Sequence, residues 1–138
     1  MTNPSSAPPR RPRNRRAESA AAAYLCHRSD CPLHPADDGT AWRALTPAGA
    51  VAALREWHIP LDRASSTYQA NTPLSLLLSQ GAGLIHWQDA SQGQPLESAL
   101  VPGDVLQFPA GTQFRFHNRA TCPAIFFMTG DCRPIHPA

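Results

Sequence analysis

Six histidines and four cysteines are the side chains of this sequence best suited to hold a metal or move a proton. They are unevenly spread. "YLCHRSDCPLH" sets Cys26, His27, Cys31 and His34 in one short stretch, and "GDCRPIHPA" sets Cys132 and His136 at the other end. Cys26 with Cys31, and Cys132 with His136, are two short-loop pairs. Chain ends commonly lie close together, so these four residues are a candidate tetrahedral set for a structural zinc ion, with His34 and Cys122 as substitutes. Such a closed set would clamp the lead-in to the last strand and would not be catalytic. A CxxC knuckle is missing, so disulfides in an oxidising compartment or free thiols remain open as alternatives.

His86, in "GLIHWQD", lies on a predicted strand beside Trp87. Pointing inward it is the best candidate acid–base group, with Tyr68 as a second; pointing outward it is an ordinary face residue. His58 reads as a surface or capping residue. His117 shares a strand face with Arg115, which suggests the exterior or a subunit interface. The acids are scattered, and Asp37 and Asp38 sit in the loop "ADDGT" with no obvious partner. There is no nucleophile motif, phosphate loop or pair of carboxylates.

The elements that must position these groups follow from composition and period. A chain of 138 residues, 42% apolar, has room for one domain and one core. No apolar run approaches the roughly 20 residues of a membrane span, and the expected location is the cytoplasm. The net charge of +2 hides an asymmetry, because residues 1–17 carry five arginines and no acid. Residues 1–20, rich in Arg, Pro and Ser, are expected to be a disordered arm. It reads either as a solvated tail or as an electrostatic arm; beyond it there is no nucleic-acid fold signature, and nucleic acid is not an expected partner.

Residues 21–45 form a Cys/His-containing lead-in. "LTPAGAVAALREWHIP" predicts one N-terminal helix: Thr46 can cap it, Pro47 suits its first turn, and Pro60 ends it. From there "TPLSLLLSQGAG", "LIHW", "SALVPGD", "VLQFPAG", "FRFHN" and "AIFFMTG" are short apolar segments. Gly, Pro, Asn and Asp turn signals separate them at the spacing of an all-β sandwich or barrel. Residues 46–138 are therefore the helix plus a compact β-domain.

"PGDVLQFPAGTQFRFHN" carries a resemblance. Gly103, Pro109, Gly111 and Asn118 match the frame G-x5-P-x-G-x2-H-x3-N, the second motif of the cupin family, and Pro102 and Asp104 complete its "PGD" turn. The resemblance spans about residues 64–130 and implies a small cupin-type β-barrel, a double-stranded β-helix or jelly roll. The motif's metal-binding histidine falls on Phe114, which cannot ligate. The family's first motif fares worse: with Gly81 as its closing glycine, Leu74 falls at the glutamate and Tyr68 and Ala70, or Thr67 and Gln69, at the histidines. With Gly83 the glutamate position is Leu76. A family-type metal site in the barrel is not expected, since a divalent ion needs three or four N, O or S donors.

Ligand positions of the family point into the barrel, and strand alternation carries their neighbours along. Tyr68, Ala70, Leu74, Leu76, Phe114 and Phe116 then line an apolar interior. It is either a dry, filled core or a pocket for an apolar or aromatic small molecule, with Tyr68, Gln69 or His86 as polar handle. Three functions follow. One is a barrel that binds a small molecule as sensor, carrier or scaffold. Another is a small enzyme of isomerase, cyclase or oxygenase type, as the resemblance implies, in particular a metal-independent acid–base enzyme using His86 or Tyr68. The third is an interaction module with a zinc clamp, dimerising through strand edges as cupin barrels commonly do.

Overall fold

The computed structural model describes residues 23–47, 49–50, 53–90 and 93–135. The arm expected at residues 1–20, and His136, lie outside them. Eleven strands are described: β1 His34–Pro35, β2 Ala41–Ala44, β3 Leu54–Ile59, β4 Tyr68–Ala70, β5 Leu74–Gln80, β6 Gly83–Gln88, β7 Pro95–Leu100, β8 Val105–Phe108, β9 Gln113–Asn118, β10 Ala124–Thr129 and β11 Cys132–Pro134. They form a six-stranded sheet in the order β1-β2-β3-β10-β5-β8 and a five-stranded sheet in the order β11-β4-β9-β6-β7. All of these neighbouring strands run antiparallel. This is the all-β jelly-roll barrel expected from the sequence. The alternating segments become β5 to β10.

Leu54–Ile59, inside the stretch expected to be helical, is instead the strand β3. Ala48, Val51 and Ala52 of that stretch lie outside the described residues. The segment "LREWHI" fits two periods, since Leu54 and His58 are helix-spaced while Arg55, Trp57 and Ile59 alternate. Pairing decides: β3 is bonded on one side to β2, with Trp57 opposite Trp42, and on the other to β10, with Trp57 opposite Phe126. A central strand position overrides local propensity. Thr46, the expected cap, accepts from the Leu54 backbone N–H at 3.1 Å and so closes the β2–β3 connection.

The four frame residues of the motif all have architectural work. Gly103 turns at φ 98° and donates its N–H to Leu78 O at 2.7 Å, while Asp104 accepts from the Val101 N–H. That ties the β7–β8 turn to β5. Pro109 accepts from Thr112, and Gly111, at φ 93°, donates to Ala70 O at 2.7 Å. Positive φ is the reason both turns need glycine. Asn118 is fully buried, its amide within 3.0–3.1 Å of the carbonyls of Ile59, Pro60 and Cys122.

Candidate functional site

The interior comes first, because a cupin-type ligand would bind there. Tyr68, Ala70, Leu74, Leu76, Phe114 and Phe116 are each at most 3% exposed. Tyr68 lies opposite Phe114 in the β4–β9 register, and their rings stack at 6.0 Å. Phe114 also meets Phe108 at 5.4 Å and Trp57 at 6.0 Å; Phe116 meets Phe126 edge-on at 4.9 Å. Leu74, Leu76 and Leu78 complete the wall. The position of the motif's histidine is thus the centre of an aromatic cluster. The indole N–H of Trp57 has no acceptor among the described residues, and the Trp57 ring stands near-perpendicular to those of Tyr68 and Phe114.

At one end of this cluster Tyr68 reaches Asp38. The Asp38 carboxylate accepts from the Thr40 N–H and hydroxyl, the Ser66 N–H and hydroxyl, and the Tyr68 hydroxyl at 2.9 Å. Burial alone would raise its pKa; the hydrogen bonds from Thr40, Ser66 and Tyr68 outweigh that and hold it at about 2. Burial raises the Tyr68 phenol. A cleft of about 430 Å³ opens here between Ala36, Asp38, Tyr68, Pro134 and Ile135. In the sequence Asp38 has no obvious partner. An Asx turn onto Thr40, two residues on, was the readable signal; the donors at Ser66 and Tyr68 are too distant in sequence to be seen.

The outer face of β3 holds a second polar centre that sequence reasoning missed. Glu56, fully buried, accepts from Arg28 Nε, from Arg43 Nη1 at 3.1 Å, and meets His58 Nε2 at 2.8 Å. Burial disfavours the charge, but the hydrogen bonds from Arg28 and His58 and the charges of Arg28 and Arg43 leave its pKa below the usual glutamate value. Arg28 belongs to the lead-in, in a 3₁₀ turn Arg28–Asp30. The lead-in is therefore laid across the outside of the six-stranded sheet.

The cysteines divide between two places. Cys26 and Cys31 flank that turn with their sulfurs 2.9 Å apart, and Arg43 Nε donates to Cys31 O at 2.8 Å. Cys132 sits elsewhere, 3.7 Å from Arg55 Nη2 and 3.8 Å from Met128 Sδ. Arg55 and Glu56 are successive residues of β3 and so point to opposite faces. The first pair is on the Glu56 side and Cys132 on the Arg55 side. Among the described residues no three His, Cys, Asp or Glu side chains are grouped to hold a metal.

His86 is on the outward face of β6, between buried Ile85 and core-packed Trp87. Its Nδ1 lies 3.3 Å from Glu97 Oε1, and Arg115 is its register partner on β9. It does not enter the interior with Tyr68. His117 is likewise on the outer face of β9, with Arg115.

No family model and no curated protein matches the sequence. Solved structures do match. The chain is similar to the cupin domain of Drosophila melanogaster CENP-C, with a TM-score of 0.69 at 18% identity over 78% of this chain and 80% of that one. It is similar to a structure of Drosophila CENP-C bound to CAL1, at 0.69 and 16% over 83% and 90%. It is also similar to hydroxypropylphosphonic acid epoxidase from S. wedmorenis, at 0.63 and 14% over 79% and 59%. The chain has the cupin fold. No helix among the described residues is long and apolar enough to cross a membrane.

Proposed function

We propose that this chain is a cupin-fold scaffold that acts through contact with another polypeptide, first of all a second copy of itself, and not through a ligand held in its barrel. The observation that carries this reading is the interior: Phe114 and Tyr68, at two positions aligned with family ligands, stack on each other, both meet Trp57 edge-on, and Phe114 also packs against Phe108. A ring-filled lumen leaves the outer surfaces as the place of action. The likeness to a CENP-C cupin domain, whose structure with CAL1 is a protein complex, supports such use of the fold by analogy alone.

The surface best suited is the outer face of β10, β5 and β8. It presents Ile125, Phe127 and Thr129, then Ser75, Leu77 and Ser79, then Val105 and Gln107, with no charge among them. Phe127, Leu77 and Val105 are register partners in one row, and Leu77 and Val105 are exposed. A two-fold interface sets a patch against itself, so a charge-free patch meets no like-charge repulsion. The five-stranded sheet presents His86, Glu97, Arg115, His117 and Arg133 instead. The test is sedimentation equilibrium on the wild type and on Leu77→Asp with Val105→Asp. A concentration-dependent dimer that the double variant abolishes, with its far-ultraviolet circular dichroism unchanged, is expected; a wild type that stays monomeric throughout sinks the reading.

The small-molecule reading keeps one specific support, the cleft beside Tyr68, whose walls include Ala36, Pro134 and Ile135. Thermal shifts with aromatic probes that disappear in Ile135→Asp would favour it.

A further inference from the structure

The loop around Cys26 and Cys31 is prepared for chemistry that the barrel does not use. The Asp30 N–H donates to His27 O at 2.8 Å and the Cys31 N–H to Arg28 O at 3.1 Å, folding the loop back on itself. This brings the sulfurs of the two partly buried cysteines to 2.9 Å. A disulfide needs about 2.05 Å, a closure of less than 1 Å between side chains of a surface loop. The backbone is held from beneath by Arg28 on Glu56 and by Arg43 on both Glu56 and Cys31 O. Cys122 and Cys132 have no cysteine within bonding distance among the described residues.

We propose that Cys26 and Cys31 form a thiol–disulfide exchange site whose oxidant is a small disulfide of the glutathione class, and that the bond fastens the lead-in over Glu56. The thiolate of one cysteine attacks a sulfur of the small disulfide, whose S–S bond breaks and releases one thiolate, leaving a mixed disulfide. The second cysteine's thiolate then attacks the protein-bound sulfur, forms the Cys26–Cys31 bond and expels the second small thiolate. Two electrons pass from the cysteines to the small disulfide, and the two protons that the cysteines lose end on the two released thiols. The fastening follows from the position of Arg28 inside the closed loop: opening the loop is what removes Arg28 from Glu56, and the cross-link restricts that opening. This inference is independent of how the barrel or its outer face is used.

The experiment equilibrates the full chain in mixtures of oxidised and reduced glutathione, quenches with an alkylating agent and maps peptides by mass. Expected is an intramolecular Cys26–Cys31 bond with Cys122 and Cys132 alkylated, while Cys26→Ser and Cys31→Ser each retain glutathione on the remaining cysteine of the pair. In parallel, tryptic cleavage after Arg28 should slow roughly tenfold or more in the oxidised wild type, and not in the variant lacking both cysteines. Cys26 and Cys31 recovered fully alkylated from oxidising mixtures, or glutathione taken up at Cys122 or Cys132 in their place, overturns the exchange site. A bond that forms without slowing cleavage overturns the fastening.

Discussion

The two faces of β3 are held by opposite kinds of interaction. On the inner face Trp57 is enclosed by rings, with Trp42 stacked at 5.2 Å, Tyr68 at 5.4 Å, Phe126 at 5.6 Å and Phe114 at 6.0 Å. On the outer face Glu56 is enclosed by Arg28, Arg43 and His58. Both side chains are fully buried. Around Trp57 the inner face is held by volume, and what it asks for is a ring of the right size; Arg55, at the start of β3, adds its guanidinium over the Trp42 ring. The outer face is held by pairing, where each partner answers for another's desolvation and pH matters. The difference explains how the fold could persist with phenylalanine at a ligand position. The motif's glycines, proline and asparagine bind backbone, and the interior asks only to be filled.

Phe114→Ala tests the first half of this contrast and should have the largest effect. A ring that touches Trp57, Tyr68 and Phe108 leaves a cavity that the barrel cannot collapse, and about 3–5 kcal/mol of stability should be lost in denaturant unfolding. A loss under about 1 kcal/mol would mean that space was already present, and the interior would have to be treated as a pocket. Glu56→Gln tests the other half. Breaking one partner of a buried pair costs about 3–5 kcal/mol, but Arg28 is half exposed and can return to water, so about 2 kcal/mol is expected. If Glu56→Gln proves neutral, the charged cluster merely decorates the sheet.

How much of this was legible beforehand depends on the range of the interactions. The turns at Gly103 and Gly111 were readable because their requirements are local and their spacing fixed. Strands β5 to β10 were readable from alternation between turn signals. The strand β3 was not, since six residues fit both periods and the deciding partners, Trp42 and Phe126, come from elsewhere in the chain. Of the interior positions named from the motif, all proved buried, because alternation fixes parity once one position is known. Glu56 escaped notice for the opposite reason: its partner Arg28 comes from a lead-in that no motif covers. His86 could not be oriented until Ile85 and Trp87 were seen to face the core.

Acid should separate the carboxylates from the ring-filled interior more finely. The Asp38 carboxyl, folded, titrates at about 2, below its unfolded value near 3.9. Its contribution is therefore present above about pH 4 and is lost as pH falls through 4 toward 2. Glu56, also lowered, adds loss of the same sign below the ordinary glutamate range. Asp38 is partly exposed, so its share is discounted to about 1 kcal/mol. Unfolding midpoints measured from neutral pH downward should fall less steeply in Asp38→Asn than in the wild type, whereas Phe114→Ala should fall in parallel with it. Identical slopes in all three would remove Asp38 from the account.

His86→Ala should have the smallest effect and sharpens the contrast from outside. His86 and Glu97 lie at 3.3 Å on the outer face of the five-stranded sheet, with Glu97 more than half exposed. An exposed pair of this kind contributes about 0–1 kcal/mol, and among the described residues no core ring rests on the imidazole. A change within about 0.5 kcal/mol is expected from thermal unfolding. The comparison with Glu56 is the useful one, because both acids sit beside a histidine on an outer sheet face. Among the described residues only Glu56 is covered by another segment of chain, and water removed from a charge is what makes its partners matter. A His86→Ala loss as large as that of Glu56→Gln would mean that something also covers the five-stranded sheet, and a partner surface would then have to be sought there.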